Sequence, residues 1–302
     1  MSLQILSYCV AGLRNCALPP ERTAAFPPPG ALARQARLPG VATAMAKQAL
    51  PAAAAAGELS VFFGTALGCL TETQAFLENM ILKHEATPMP RAFSSSVHNA
   101  PASQTAIALK ARGASHTFVH ADVAFLQALF AAARHWERVR EGRLLVGGLD
   151  EFTQHAGEAR AALAWPETTG EGGAVLVCGA ASREAPALAR LGRIGLARRR
   201  DPLAWIAAEL GGERIDALLM AYPAGSPAAA VTLASGAHVL ESRALTGDHH
   251  ASVAAAAALA VAALSGELAP GALELAHAPS AIAVAAASRY GDAAFAVLER
   301  AS

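Results

Sequence analysis

The chain is predicted to have an α/β fold, in which short strands and helices alternate from one end to the other. Apolar runs rich in Val and Phe lead into helical stretches, as residues 59–63 lead into residues 71–82. A strand, helix, strand unit fills residues 112–150, where residues 117–119 precede an apolar helix. Alternation of this kind is typical of largely parallel sheets with buried central strands.

The elements before residue 170 follow from local patterns of apolar residues and of Pro and Gly. The predicted strands are residues 3–10, 59–63 and 117–119, and the predicted helices are residues 42–56, 71–82 and 102–110. Residues 19–29 are rich in Pro and residues 86–104 are rich in Pro, Ser and Asn, so both are predicted to be loops.

A flexible Thr- and Gly-rich segment at residues 168–173 indicates a boundary near residue 170, which divides the chain into domains 1–170 and 171–302. A strand at 174–178 is taken as the end of the first half. The pattern then repeats. It gives a basic region at 188–200, a helix at 203–210, a strand at 217–222, a strand and turn at 238–247, an Ala-rich helix at 251–264 and a closing pair of strands at 281–286 and 293–299.

Composition excludes several classes of partner. Apolar residues make up 54% of the chain, and 24 Lys and Arg balance 24 Asp and Glu, so neither nucleic acid nor an anionic membrane is expected to bind. The apolar Ala-rich runs are too often interrupted to span a membrane. Four cysteines without paired spacing argue against a zinc site and a disulfide framework. A cytoplasmic protein is therefore expected.

Eight segments, taken in their order along the chain, resemble the β-ketoacyl synthases of the thiolase superfamily. The resemblance implies a layered αβαβα fold made of two similar halves, with a dimer formed across the strand at residues 116–120. The segments are FFGTALG, PRAFSSSVHNAPAS, HTFVHADVAFLQALFAAA, LLVGGLDE, EGGAVLV, YPAGSP, LTGDHHASVAAAAALAVAALSGELAP and SRYGDAAFAVLER.

The family's three catalytic side chains are absent from the matching positions. Asp122 stands where the family has its nucleophilic cysteine, Tyr222 where it has the first histidine and Asp248 where it has the second. The family lysine just before the second histidine is replaced by Arg243. The resemblance therefore implies a degenerate catalytic triad.

These replacements are expected to prevent condensation. A carboxylate with an ordinary pKa of about 3.9 is ionised at neutral pH and attacks thioesters poorly. Two aspartates in one pocket would also repel the enolate that imidazole donors stabilise in the family, and such donors are commonly worth about 2.7–4 kcal/mol.

Simpler roles for the same residues remain open. Asp122 and Asp248 each precede a predicted helix, and Asp is among the best N-cap residues. His120 is spaced to form a dyad with Asp122, although a strand end facing a neighbouring subunit is favoured for it. The run Asp248, His249, His250 is not expected to bind a metal, because adjacent histidines point apart and no third ligand accompanies them.

The resemblance is to a chain length factor, the family member that lacks the nucleophile, pairs with an active ketosynthase and shapes the tunnel for the growing chain. It implies an acyl carrier protein as a further partner, no cofactor, and, because the chain is short, an aryl polyene pathway. Candidate tunnel or interface residues are Phe118, His120, Phe125 and Phe130. Candidate carrier-protein docking residues are Arg198, Arg199 and Arg200.

Two other hypotheses are kept beside this one. The same scaffold would suit an acyl hydrolase or acyltransferase that uses Asp122 with His120, Tyr222 or His249, provided that an open pocket reaches Asp122. A homodimeric scaffold that binds acyl carrier protein and has no tunnel is the third hypothesis.

Overall fold

The strands and helices are those of a computed structural model that describes residues 2–14, 16–27, 36–50, 58–84, 89–162, 170–221, 231–288 and 290–301. The strands are β1 Gln4–Ala11, β2 Thr23–Ala24, β3 Leu59–Thr65, β4 Ser115–Val119, β5 Arg143–Asp150, β6 Gly172–Gly179, β7 Ala189–Arg198, β8 Ala217–Ala221, β9 His238–Glu241, β10 Ala281–Ala287 and β11 Asp292–Arg300. The helices are α1 Arg37–Ala49, α2 Leu70–Leu82, α3 Pro90–Ser95, α4 Ala100–Ala108, α5 Ala124–Val139, α6 Gln154–Ala162, α7 Pro202–Leu210, α8 Ser242–Thr246 and α9 Ser252–Ser265.

The strand order repeats between the two halves of the chain. The first set of strands is ordered β4-β3-β5-β6-β1 and the second β9-β8-β10-β11-β7, with the short β2 beside β1. If the short β2 is left out and the strands of each half are numbered from one to five along the chain, both sets have the strand order 3-2-4-5-1. The two sets meet where β1 pairs with β7 through Gln4↔Arg190 and Ile5↔Ala189. Two similar halves, as the resemblance implies, are confirmed.

The strand directions are mixed, so the prediction of largely parallel sheets is wrong. Pairs β3-β4, β3-β5, β8-β9 and β8-β10 are parallel. The strands β6 and β11 run antiparallel to both of their neighbours. The strand β11 follows β10 after a short connection, which favours an antiparallel pair, whereas the connection from β5 to β6 contains α6.

Helices cover both sets of strands and also fill the space between them. The central core joins α5 and α9 to side chains of both sets. The outer face of the first set packs on α1 and α4, and the outer face of the second set packs on α7. These five layers confirm the predicted α/β fold of thiolase-like type.

Small residues allow the central helices to approach the strands. A Cβ atom on Gly64 of β3 would lie 2.4 Å from the carbonyl carbon of Ala124 in α5. Residues 252–264 of α9 are all buried and include eight alanines. The Ala-rich run is therefore a core helix whose methyl groups permit close packing.

Several local predictions differ from the structure. The predicted basic region at 188–200 contains β7, and its arginines lie on exposed parts of a strand. The predicted loop at 86–104 contains α3 and the start of α4, each with a Pro in its first turn, where Pro is compatible with a helix. The predicted turn after β9 contains α8.

The strand β6 completes the first set, since it lies between β5 and β1. The chain passes to the second set between β6 and β7. The division into domains 1–170 and 171–302 stays a prediction. Within the described residues, no helix has both the length and the apolar character that a membrane crossing requires.

Candidate functional site

Asp122 lies in a short 3-10 turn, Ala121–Val123, between β4 and α5. The preceding residue, Ala121, has a φ of 40°, which turns the chain sharply at the end of the strand. The strand, turn and helix around Asp122 therefore match the sequence prediction. The Asp122 residue is 4% exposed. The N-cap position of α5 is occupied by Val123, so the predicted N-cap role of Asp122 is wrong.

The carboxylate of Asp122 instead contacts the guanidinium of Arg243 and the imidazole of His250, both from the second half of the chain. Arg243 donates a hydrogen bond from Nη2 to Oδ1 of Asp122 at 3.2 Å. The Nδ1 atom of His250 lies 2.9 Å from the same oxygen. Both contacts cross between the two sets of strands, since Arg243 belongs to α8 and His250 precedes α9. A buried charge of this kind requires partners such as these.

Asp248 completes the ion cluster. Its Oδ1 atom lies 2.8 Å from Nη1 of Arg243, whose side chain is 6% exposed. The N-cap residue of α9 is Ala251, so the predicted capping role of Asp248 is also wrong. Three of the four positions matched to the family's catalytic residues thus lie together, whereas Tyr222 lies outside the described residues.

Two adjacent histidines at this site face different surroundings. The imidazole of His249 is buried, and its Nε2 atom lies 2.9 Å from the carbonyl oxygen of Thr246. Burial lowers the pKa of His249 to about 4, with the positive charge of Arg243 adding to the effect. His249 is therefore neutral at pH 7, and its Nδ1 atom has no hydrogen-bond partner among the described residues. His250, not His249, contacts Asp122.

The alternative in which His120 forms a dyad with Asp122 is disfavoured, because both ring nitrogens of His120 lie near other side chains. His120 does follow the end of β4, as predicted, but its Nε2 atom lies 2.9 Å from Oδ2 of Asp292 at the start of β11. Its Nδ1 atom lies 2.5 Å from the side-chain nitrogen of Gln127 in α5. His120 therefore links the end of β4 to the second set of strands.

Asp150, at the end of β5, is a functional candidate that the sequence analysis missed. It accepts hydrogen bonds from the Thr65 hydroxyl at 2.7 Å and from the backbone N–H groups of Ala66 and Leu67. Burial raises the pKa of the Asp150 carboxyl, while the nearby His250 and these hydrogen bonds act in the opposite direction. Asp150 and His250 also line the same small cavity, of about 10 Å³. A cavity of this size holds about one water molecule.

The candidate tunnel residues differ in their surroundings. Phe125 is 2% exposed and belongs to the central core, where its ring and Cβ atom lie close to Gly148 of β5. Phe118 is partly buried and packs against the same core, and Phe130 in α5 is half-buried. Phe125 therefore has a packing role, and the tunnel role of the three residues stays a prediction.

Arg198, Arg199 and Arg200 are exposed at the end of β7 and in the turn after it. In the pairing of β7 with β11, Arg198 lies opposite Asp292, the partner of His120. The arginine run is therefore near the same edge of the molecule as the end of β4. Its role in docking a carrier protein stays a prediction.

The arrangement holds a carboxylate, a guanidinium and an imidazole in contact where water has little access. Electrostatic contacts are stronger in such surroundings than in water. The chemistry available to it is proton exchange between Asp122 and His250. In the described part of the chain, no three side chains of His, Cys, Asp or Glu converge to hold a metal ion.

Residues 19–167 match the family model described as the N-terminal domain of β-ketoacyl synthases. No curated protein matches the sequence. The match covers the strand, turn and helix around Asp122.

Solved structures share the fold over the whole chain at low identity. A chain of the ishigamide ketosynthase/chain length factor is 17% identical, covers 100% of both chains and has a TM-score of 0.72. A type II polyketide synthase complex of an acyl carrier protein with its ketosynthase bound to the hexaketide contains a chain with 14% identity, 99% coverage of both chains and a TM-score of 0.77.

A complex of the ketosynthase ApeO with its chain length factor ApeC, from Xenorhabdus doucetiae, contains a chain with 14% identity and a TM-score of 0.70. That match covers 99% of this chain and 98% of the other. The chain has the thiolase-like fold of these ketosynthase structures, and its residues 19–167 match the N-terminal domain of β-ketoacyl synthases.

Proposed function

We propose that this chain is a non-catalytic β-ketoacyl synthase-like subunit of the chain length factor type. It pairs with an active ketosynthase during chain elongation on an acyl carrier protein. The observation that carries the proposal is the ion pair at the nucleophile position, where Asp122 is buried and held by Arg243 at 3.2 Å. A carboxylate in this state is a poor nucleophile, and an acyl adduct on it would be a labile anhydride.

The surface of the chain supports pairing with another subunit. Within the described residues, β4 lies at the end of the strand order and pairs with β3 on one side. The backbone N–H and C=O groups along its other edge are therefore open to a second subunit. The helix α2 contains no buried residue. Its apolar residues Leu77, Ile81 and Leu82 are 51%, 72% and 76% exposed. Exposed apolar surface of this extent is typical of subunit interfaces.

We assign the partner as an active ketosynthase because the similar structures named above include a ketosynthase in complex with its chain length factor. The pathway proposed is of the aryl polyene type, which rests on the resemblance of short chains of this kind to proteins of such systems. The arginines Arg198, Arg199 and Arg200 are proposed to face the acidic carrier protein.

The test is co-expression of this chain with each active ketosynthase of its source organism, followed by native mass spectrometry of the purified material. We expect a one-to-one complex that extends an acyl chain from malonyl carrier protein, and no elongation by this chain alone. Asp122→Asn keeps the size of the side chain and is expected to leave the product of the complex unchanged. Elongation by this chain alone, or loss of product in a folded Asp122→Asn complex, would contradict the proposal.

The interface has its own test. Ile81→Glu and Leu82→Glu each place a charge on the exposed face of α2 and are expected to prevent formation of the complex. Val139→Glu, at the exposed end of α5, is the control and is expected to leave the complex intact. A homodimer without affinity for the ketosynthase would favour a scaffold that binds acyl carrier protein.

A second candidate function is hydrolysis of an acyl thioester. It is favoured by the distance of 2.9 Å between Asp122 and Nδ1 of His250, together with the water-sized cavity that His250 lines. A carboxylate and an imidazole in contact can accept a proton from water. Release of free acid from acyl-pantetheine by this chain alone, lost in Asp122→Asn, would favour hydrolysis over the subunit role.

A further inference from the structure

A groove of about 420 Å³ opens at the C-terminal end of α9. It is lined by the last turn of that helix, by residues 268–270 after it, and by Leu188, Ala278 and Arg300. We call this space the α9-end groove. Its volume is in the range of sites that bind small organic molecules.

The floor of the α9-end groove is apolar and held in place by the backbone. Leu264 and Leu268 line it and are 3% and 4% exposed. The chain turns back between these two leucines, where Gly266 donates its backbone N–H to the carbonyl oxygen of Ala263 at 3.3 Å. The backbone N–H of Leu268 donates to the carbonyl oxygen of Ala262 at 3.0 Å. The apolar floor is therefore preformed and does not depend on a ligand.

One cation stands at the rim of this apolar space. Among the described residues that line the groove, Arg300 is the charged one. Its Nη2 atom donates a hydrogen bond to the carbonyl oxygen of Pro279 at 2.6 Å, which fixes the position of the guanidinium. Within the described residues, no carboxylate forms an ion pair with Arg300 and no second acceptor takes up its other N–H groups. Those groups are open to a ligand, and a guanidinium fits a carboxylate with two parallel hydrogen bonds.

The two parts of the groove together select one kind of molecule. An inorganic anion would pair with Arg300 but would gain nothing from Leu264 and Leu268. A hydrocarbon would cover the leucines but would leave the guanidinium without an acceptor. A molecule that carries one carboxylate on a compact apolar body satisfies both parts.

The groove is remote from the cluster around Asp122. His250 precedes α9, whereas Ser265 at the groove ends it, so 15 residues separate the two ends. At a rise of about 1.5 Å per residue, that separation is about 20 Å. A small ligand in the groove therefore cannot contact Asp122 or His250.

We propose that the α9-end groove is a binding site for a small apolar monocarboxylic acid, whose carboxylate pairs with Arg300 and whose apolar body covers Leu264 and Leu268. The ligand is an effector and not a substrate, because the length of α9 separates it from Asp122. Its binding stabilises the folded chain by mass action. The inference is independent of the proposed function, since the groove is complete in this chain without a second subunit.

The experiment is isothermal titration of the full chain with 3-cyclohexylpropanoate, its neutral match 3-cyclohexylpropanamide, and acetate. We expect saturable binding of the cyclohexyl acid at one site. The amide keeps the apolar body and loses the charge, so it is expected to bind about fivefold more weakly. Acetate keeps the charge and loses the apolar body, so it is expected to bind more weakly by more than about tenfold.

Three variants check the location. Arg300→Gln is expected to weaken binding of the acid by about fivefold and to leave the affinity for the amide unchanged. Arg112→Gln, at an exposed arginine before β4, is the control and is expected to bind both ligands as the unaltered chain does. Ala278→Trp places a large ring on an exposed groove position and is expected to abolish binding of both.

The inference fails if the unaltered chain shows no saturable binding of the acid up to about 10 mM, the weakest affinity expected for a ligand of this size. Equal affinities for the acid and the amide would also overturn it, and this comparison holds even if Arg300→Gln does not fold. Unchanged binding in a folded Ala278→Trp variant would place the ligand elsewhere and would overturn the assignment of the groove.

Discussion

Arg243 reaches across the two halves of the chain to donate a hydrogen bond to Asp122, a residue 121 positions earlier, with an Nη2···Oδ1 distance of 3.2 Å. The same guanidinium lies 2.8 Å from Asp248 through Nη1. One cation therefore compensates two carboxylates at the positions where the family has catalytic groups. The cluster connects a turn of the first half to α8 and the start of α9.

Arg243→Met is expected to lower the free energy of unfolding by about 3–5 kcal/mol, because Asp122 loses its cationic partner while buried. The matched variant is Arg243→Lys, which restores the family's residue type and is expected to lose less. Urea denaturation followed by circular dichroism measures both. Equal stability of Arg243→Met and the unaltered chain would show that the ion pair contributes no net stability. The double variant Asp122→Asn with Arg243→Met should recover part of the loss.

The buried His249 predicts a dependence of stability on pH. Its pKa is about 4 in the folded chain and 6.5 when exposed, so between these values the unfolded chain binds a proton that the folded chain does not. Stability should therefore fall as pH is lowered from 6.5 to 4, by up to about 3 kcal/mol for this group. His249→Gln is expected to flatten the profile in that window. His277→Gln, at an imidazole that is 74% exposed, is the control.

The close approach of α5 to β3 predicts a steric effect. Gly64→Ala would place its Cβ atom 2.4 Å from the carbonyl carbon of Ala124, so the helix or the strand must move. Overpacking of this kind costs about 1–3 kcal/mol, and because the atoms met are backbone atoms of Ala124 and Phe125, which cannot rotate away, the variant should lie at or above that range. Gly212→Ala has no atom within 4 Å of its Cβ atom and is the control. Thermal unfolding of both variants measures the difference.

Restoring a thiol should not restore the family's chemistry. Asp122→Cys supplies a thiol just before α5, but the resemblance predicts that Tyr222 and Asp248 stand where the family has the two imidazoles that stabilise an enolate. We expect no elongation of an acyl chain by this variant, measured by mass spectrometry with malonyl and acyl carrier protein. Alkylation of the new thiol by iodoacetamide shows whether it is accessible. Even one condensation per chain would mean that the site keeps more catalytic groups than we infer.

The strand, turn and helix around Asp122 were predictable because a short β-type run meets an apolar helix with a clear change of period. The approach of Arg243 and Asp248 to Asp122 was predictable only through the resemblance, since more than a hundred residues separate them. Which of two adjacent histidines contacts Asp122 was not predictable. It depends on the turn before α9, whose geometry no local pattern specifies.

The misassigned elements show where local composition is overridden by context. The strand β7 was taken for a basic region because arginines occupy its exposed positions, while its apolar residues face the core only once β1 and β11 lie beside it. The helix α3 was taken for a loop because Pro and Ser dominate it, although Pro90 stands in the first turn.

Within the described residues, two residue pairs of β1 and β7 connect the strands of the two halves, and further backbone hydrogen bonds join them, such as that from Leu188 N–H to the carbonyl oxygen of Ile5. The packing of α5 and α9 and the charges around Arg243 add to these bonds in keeping the halves in register. A change that loosens these contacts should let one half shift against the other while each half keeps its own strands paired. The charged side chains that meet at Arg243 would then govern how the two halves sit together, beyond any part they take at the site around Asp122.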